Sequence, residues 1–422
     1  MKTIAIHTLG CKLNFSESSD MVRQFVANDY QVVDFKGFAD VYVINTCTVT
    51  SIAEKKCRTA IHHAVNTNPD AVVAVVGCFS QVNAHEISKI EGVDIILGNA
   101  DKHLLHRRVE QFLKTGKPQL TVEPMGNDDA FAPSFSTGDR TRSFFKVQDG
   151  CDYFCTYCEI PFARGRSRSS TIAETVNMAH QIAATGVKEI VLTGVNTGEF
   201  GKNTGENFFQ LIKELDKVEE VLRYRISSIE PNLITNEIID FIAQSRAFLP
   251  HFHIPLQAGS NTVLQLMRRR YTTELYVQRL QKIKSVMPDA CIAADVIVGF
   301  NGETDEEFGK ACRFIESLPI SYLHVFTYSE RPGTRALAMG GKVPITVRRE
   351  RSKTLHQISD RKRIGFYKSN YGTQHSVLWE SDVHNGFMMG FTDNYIRVRT
   401  PFDESKVNTV ETILVSEENV EL

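Results

Sequence analysis

Residues 146–161 read KVQDGCDYFCTYCEIP, and the cysteines at 151, 155 and 158 decide how the rest of the chain is read. Three thiols this close cannot pair off evenly as disulfides. Their gaps are too short for most tetrahedral zinc loops, which also want a fourth ligand nearby, so a zinc knuckle missing one ligand is the lesser alternative. The reading that fits is a cluster of iron and sulfide held one ligand short. Such clusters normally take four cysteines, and a set of three leaves one iron open to an exogenous ligand. An open coordination position marks a site of chemistry.

At 422 residues the chain has room for two or three domains and a large core. Charged residues make up 23% and hydrophobic residues 42%, the balance of an ordinary globular protein. A formal net charge of −2 excludes a uniformly basic nucleic-acid coat, so any RNA contact must come from local patches. The N-terminal MKTIAIHTLGC reads as a strand, without the apolar segment and cleavage site of a secretory signal. Apolar runs such as residues 71–76 are far too short to span a bilayer. Nine cysteines grouped at specific points fit metal binding in a reducing cytoplasm better than a disulfide framework.

Working outward, residues 1–113 alternate short apolar runs with amphipathic stretches, the pattern of an α/β layer around a parallel sheet. Strands are expected at 3–8, 41–45, 72–76 and 94–97. Cys11, Cys47 and Cys78 each fall just past one of the first three, at the edge where such sheets build their ligand crevices. Ser16 with Glu17 and Asp20 reads as a helix start whose positive end would face an anionic cluster. Cys57, Cys291 and Cys312 read as ordinary core or helix-face residues, and the pairs His62/His63 and His251/His253 as packing or surface residues. Residues 114–141, rich in Gly, Pro, Ser and Asp, read as a linker with one short strand near 119–122.

From residue 142 to 366, six strands separated by helical stretches, at 144–147, 189–192, 223–227, 252–256, 292–298 and 323–328, suggest a parallel barrel that is not fully closed. Function in such barrels sits at the C-terminal ends of the strands. Those ends carry Thr193, Gly194 and Asn196, Ser228 and Glu230, Gln257, Gly299 and Arg331, groups suited to hold an amino acid moiety, a ribose and a base. Arg164, Arg166 and Arg168, with Arg268, Arg269, Arg270 and Tyr271, form two basic runs suited to a phosphate-bearing substrate. A long basic helix is expected from 344 to 367. The tail at 369–422 reads as a small antiparallel barrel in which Trp379, Phe387, Phe391, Tyr395 and Arg397 offer either an RNA-stacking surface or a core.

The Cys-x3-Cys-x2-Cys spacing with Tyr157 before the last cysteine resembles the signature of the radical S-adenosylmethionine (SAM) superfamily. Together with TLGCKLN at 8–14, NTCTVT at 45–50, GC at 77–78, DGCDYFCTYCEIPFARG at 149–165 and FTYSERPGT at 326–334, it makes the whole chain resemble the methylthiotransferase family. That resemblance implies an N-terminal flavodoxin-like α/β domain, a central partial (βα)6 radical SAM barrel and a C-terminal TRAM-like RNA-binding barrel. It also implies two 4Fe-4S clusters, one on Cys151, Cys155 and Cys158 that cleaves SAM to a radical, and one on Cys11, Cys47 and Cys78 that holds the sulfur species.

The family has three branches, acting on isopentenyl-adenosine in tRNA, on an aspartate of a ribosomal protein, and on threonylcarbamoyl-adenosine at tRNA position 37. The TLGCKLN loop resembles the third, whose partners are a tRNA anticodon stem-loop, a flavodoxin- or ferredoxin-like electron donor and a sulfur source, the enzyme itself being a monomer. A radical accounts for the need for such machinery, because an unactivated aromatic C–H resists polar substitution. No general base is assigned. A protein of another class, a non-enzymatic iron–sulfur RNA-binding or electron-transfer protein, would keep every iron ligated. Anaerobic reconstitution is expected to load about eight irons per chain, two clusters of four; a plateau near four in iron analysis would leave only one cluster.

Overall fold

The computed structural model describes residues 1–126, 130–138 and 141–421. Residues 127–129 and 139–140 of the expected linker, and residue 422 of the expected C-terminal barrel, lie outside the described residues. The chain divides into two compact units, one of residues 1–136, 144–170 and 329–337, the other of residues 137–143, 171–328 and 338–422.

The first unit holds β1 (Thr3–Thr8), α1 (Lys12–Val26), β2 (Gln31–Val32), β3 (Val41–Thr46), α2 (Ser51–Thr67), β4 (Val72–Gly77), α3 (Cys78–Ile87), β5 (Ile95–Leu97), α4 (Leu105–Thr115) and β6 (Gln119–Thr121). After them come β7 (Ser134–Phe135), β8 (Arg142–Lys146), whose last three residues belong here, and α5 (Ile160–Arg164). Six parallel strands run in the order β2-β1-β3-β4-β5-β6. Its first five follow the flavodoxin-like order, which reverses between β1 and β3. VYVINT and VVAVVG are buried at every residue because helices cover both faces, and runs rich in Val and Ile suit strands with no solvent side. One core packs α2 against Tyr42, Ile44, Val73 and Val75; the other packs α1 and α4 against Ile4, Val41, Val43 and Ala74. The stretch read as a linker supplies β6 to this sheet, and Ser134 and Phe135 pair with Lys146 and Phe145.

Helix α1 begins five residues before the position expected from a cap at Ser16. Cys11 is its N-cap, in extended conformation, while Ser16 is buried and bonds back to the carbonyl of Leu13 at 2.8 Å. The apolar Leu13 and Phe15 kept the earlier turn from looking like a polar helix start.

The second unit contains α6 (Ile172–Ala183), β9 (Glu189–Thr193), α7 (Phe208–Leu215), β10 (Arg223–Ile226), α8 (Asn236–Gln244), β11 (His251–His253), α9 (Asn261–Leu266), α10 (Thr273–Val286), β12 (Cys291–Val298), α11 (Asp305–Ser317), β13 (Tyr322–Thr327) and α12 (Ile345–Ser369). With β8, all six strands expected of the barrel are present. Strands β9 and β10 pair in parallel, as do β11, β12 and β13. Parallel bridges Tyr224–Phe248 and Ser228–His253 join the two sets. Threonine caps set the helix starts: Thr171 forms a capping box with Glu174, and Thr272 and Thr304 accept from the third residue of α10 and α11. No helix among the described residues is long and apolar enough to cross a membrane.

Strands β14 (Gln374–His384), β15 (Phe387–Thr392), β16 (Arg397–Pro401) and β17 (Val410–Leu414) form a curled antiparallel sheet in the order β16-β15-β14-β17. Its aromatics correct the stacking-surface reading. Trp379 is 1% exposed at the centre of the core that this sheet shares with Phe366 and Tyr367 of α12. Tyr395 stacks on His251 at 4.2 Å and on Phe391 at 4.7 Å, so both rings pack against the start of the barrel strands. Phe387, at 37% exposure under the guanidinium of Arg399, is the most exposed ring of this group.

Buried charge fixes this sheet to the barrel. Arg225 bonds Glu189 at 3.0 Å and the carbonyls of Thr392 and Asp393 at 3.2 and 3.1 Å, while Arg223 donates to the carbonyl of Phe391 at 3.2 Å. Burial alone would raise the Glu189 carboxyl, but Arg225, Arg223 and Arg142 outweigh it and hold the group down at about 2. Its stabilisation is therefore complete above the usual glutamate range and is lost as pH falls towards 2. Arg225→Ala is expected to cost about 3–5 kcal/mol in urea denaturation at neutral pH and to flatten the loss of stability between pH 5 and 2. An unchanged urea midpoint would refute this account of the sheet's attachment.

Candidate functional site

The strand registers bring three cysteines to one edge of the first unit's sheet. Thr8 lies opposite Asn45, Asn45 opposite Val76 and Thr46 opposite Gly77, so Cys11, Cys47 and Cys78 leave neighbouring strands at the same level. Gly10 (φ +105°) permits this approach: a Cβ there would lie 2.8 Å from that of Cys47. Gly77 (φ +100°) is similarly closed in, by Asn45 and Thr46. Asn14 ties the loops together, its amide donating to the carbonyls of Leu9 at 2.7 Å and Thr46 at 2.9 Å. Thr46 in turn donates to the carbonyl of Val76 at 2.6 Å and accepts from the backbone N–H groups of Phe79 and Ser80.

Cys47 and Cys78 are buried and Cys11 is exposed. Burial pushes the Cys47 thiol up to about 12, so a metal must displace its proton on binding. Cys11 caps α1 and Cys78 opens α3, placing two of the three sulfurs at positive helix ends. Cys57, expected in the core, is there: its sulfur accepts from the Cys47 N–H at 3.5 Å.

The second triad lies in the same unit. Paired backbone bonds between Asp149 and Arg168, both 2.9 Å, close the loop holding Cys151, Cys155 and Cys158. Phe154 within it has φ +50°, a strained conformation for a bulky residue. Thr48, next to Cys47, donates to Glu159, next to Cys158, at 2.8 Å. Asn99 bonds the carbonyl of Ala163 at 2.6 Å and lies 3.6 Å from the Cys78 sulfur. The two loops thus pack on each other directly.

A buried ion network joins them. Arg164, 1% exposed, donates to Asp149 at 2.9 Å, Glu17 at 3.1 and 3.2 Å and Asn14 at 2.7 Å. Lys102 and Lys146 also pair with Glu17, and Lys146 and Arg168 with Asp149. Burial would raise Glu17, yet Arg164, Lys102 and Lys146 hold it well below the usual carboxylate range. Four cations face two carboxylates. That surplus beside three thiols suits a soft, negatively charged metal cluster.

This network corrects part of the basic-run reading. Arg164 and Arg168 are buried within it rather than presented to RNA, because Asp149 and Glu17 hold them. Arg269 pairs with Glu230, and Tyr271, 6% exposed, donates to the carbonyls of Pro255 and Leu256. Arg166, Arg268 and Arg270 are the exposed members. Arg331, four residues past Thr327, holds the carbonyl of Thr48 and the Glu54 carboxylate, each at 2.9 Å. Tyr157 is half-buried in the cysteine loop.

In the second unit, Thr193 ends β9 and Gly194 and Asn196 follow it, Ser228 and Glu230 follow β10, and Gln257 and Gly299 follow β11 and β12. The Thr193 and Ser227 hydroxyls are buried without a partner among the described residues, as polar groups awaiting a ligand would be. Gly299 donates its N–H to Glu303 at 2.6 Å and faces Arg348, whose Cγ would lie 2.3 Å from a Cβ there. His253, read from the sequence as a packing or surface residue, lies with Asp295 and His324, which the sequence reading did not name, on three adjacent strands. His253 Nε2 lies 2.7 Å from Asp295, and ligand atoms of all three fall within 4.8 Å of one another. Asp295 and His324, polar residues inside otherwise apolar strands, were the available signal.

Arg164→Ala is expected to cost about 3–5 kcal/mol and to reduce the iron held after anaerobic reconstitution. Arg166→Ala, at an exposed position, should keep the parental iron content; equal iron in both variants would detach the ion network from cluster binding.

Residues 3–98 match the uncharacterised protein family UPF0004, and residues 145–315 the radical SAM superfamily. The chain is 43% identical, over 94% of its length and 90% of the relative's, to threonylcarbamoyladenosine tRNA methylthiotransferase MtaB of Bacillus subtilis. It is 37% identical to the protein of the same name from Aquifex aeolicus, over 94% of this chain and 96% of that one. Among solved structures, the radical SAM methyltransferase TsrM from Kitasatospora setae superposes with a TM-score of 0.58 over 80% of this chain and 77% of that one, at 13% identity, a likeness of fold alone. With both cysteine triads in place and the likeness running nearly end to end, this chain belongs to the family of threonylcarbamoyladenosine tRNA methylthiotransferases.

Proposed function

We propose that this chain replaces the hydrogen on carbon 2 of N6-threonylcarbamoyladenosine, at position 37 of tRNA, by a methylthio group. The observation that carries the reading is the packing of two cysteine triads against each other in one unit, on a chain 43% identical to a protein of that name. The residues fit two 4Fe-4S clusters: Cys151, Cys155 and Cys158 would hold one, Cys11, Cys47 and Cys78 the other. When bound, the clusters and SAM supply a carbon radical, a methyl group and the sulfur to be transferred.

The chain's own residues bind and hold. Asn14 and Arg164 fix the spacing of the two cysteine loops. Thr193, Gly194, Asn196, Ser228 and Gln257 offer polar groups for SAM. Arg166, Arg268 and Arg270, the exposed arginines of the two basic runs, are suited to meet RNA phosphates. An adenine in an anticodon loop is already unpaired, which lowers the cost of drawing it out of the stack. The working setting is cytoplasmic, the enzyme a monomer, its reductant a flavodoxin- or ferredoxin-like donor and its sulfur from a separate source.

The test is nucleoside mass spectrometry after incubating reconstituted enzyme, SAM and reductant with anticodon stem-loops bearing either threonylcarbamoyl- or isopentenyl-adenosine. The methylthio product is expected on the first RNA alone. Product on the second alone would move the chain to the other tRNA branch, and SAM left uncleaved would end the enzyme reading. Cys47→Ala should abolish the product while 5′-deoxyadenosine continues to form.

A further inference from the structure

A cavity of about 830 Å³ opens on the first unit, bordered by segments that leave both cysteine triads. One wall is α3, which begins at Cys78; the other is the stretch 154–166, which begins inside the second cysteine loop. We infer that this cavity is a subsite for one unstacked nucleotide of the substrate RNA, next to the nucleotide that reacts. The inference rests on the RNA substrate proposed above.

Size and chemistry point the same way. The volume is at the upper end of the roughly 300–1,000 Å³ typical of pockets for small ligands. Phe154 and Phe162 meet edge to face at 6.2 Å and 85°, and Phe162 is 53% exposed although it lines a concave surface. The Arg166 guanidinium lies 4.8 Å above the Phe154 ring with its side chain 54% exposed. A ring for the face of a base, with a cation in reach of its phosphate, is how proteins hold single-stranded RNA.

The facing wall supplies polar groups. Helix α3 is broken at Asn83 (φ −133°, ψ 33°), which turns this residue to the cavity, and its side-chain amide makes no hydrogen bond among the described residues. Gln81, by contrast, is held by the Glu123 carbonyl and the Asn99 N–H, leaving Asn83 to read a base edge. Glu159, the carboxylate of the lining, accepts from Thr48 and lies 3.8 Å from Arg331, which offsets its repulsion of phosphate.

Photocrosslinking of the cluster-loaded enzyme tests the inference without a substitution. An anticodon stem-loop carrying 4-thiouridine beside position 37 is expected to crosslink within 81–85 or 154–166, mapped by peptide mass spectrometry. Crosslinks confined to other segments overturn the subsite, even where the parent enzyme forms the methylthio product. A crosslink here without product keeps the subsite and removes the proposed reaction. In binding assays, Phe162→Ala should weaken the stem-loop complex roughly 5- to 150-fold, with unchanged iron content and RNA-free SAM cleavage. Arg166→Gln should make the salt dependence shallower by about 0.7. Parental affinity in Phe162→Ala, Asn83→Ala and Arg166→Gln together would also overturn it.

Discussion

A guanidinium taken out of water is tolerated only when acceptors replace its hydration, and Arg164 meets that condition with acceptors from both cysteine-bearing segments. Asp149 belongs to the loop of the second triad, Glu17 and Asn14 to the helix that Cys11 caps. One side chain therefore sets the spacing of two loops that lie more than a hundred residues apart in sequence. Breaking a buried pair leaves the other charge stranded, so the arrangement tolerates little drift. The rest of the first unit follows from this: Gly10 and Gly77 let the loops approach, and the hydroxyl of Thr46 ties the end of β3 to β4 and α3.

The same charges bear on chemistry. Clusters held by three thiolates are anionic, and a surplus of buried cations beside Cys11 and Cys78 favours that charge where water cannot. Arg164 and Lys102 are thus both structural members of the network and part of the electrostatic surroundings of the thiols. A charge network of this kind is a poor RNA surface for the same reason that it is a good cluster lining, since its donors are already engaged.

In the second unit, charge again does what apolar packing does elsewhere. Glu189, Arg223 and Arg225 fill the start of the parallel strands and hold the turn at 391–395 against it. Tyr395 and Phe391 complete that closure by stacking on His251 and on each other. His253, Asp295 and His324 bring three more polar side chains together on adjacent strands of this unit.

Local chemistry written in short motifs was legible from residues alone. The spacing of Cys151, Cys155 and Cys158, the placing of Cys11, Cys47 and Cys78 after apolar β-branched runs, and the strand–helix alternation all depend on neighbours within a few positions. The basic runs were misread in part because sequence shows a charge without its partner: Arg164 and Arg269 look alike in a string, and only folding brings Glu17, Asp149 and Glu230 to them. Trp379 and Tyr395 were ambiguous for the related reason that an aromatic ring suits a core and a surface equally. Sequence determined the ligand types, their order and the parallel-sheet class; tertiary structure decided which cations are buried, which rings are covered and that both triads share one compact unit, because burial and pairing are properties of residues brought together from far along the chain.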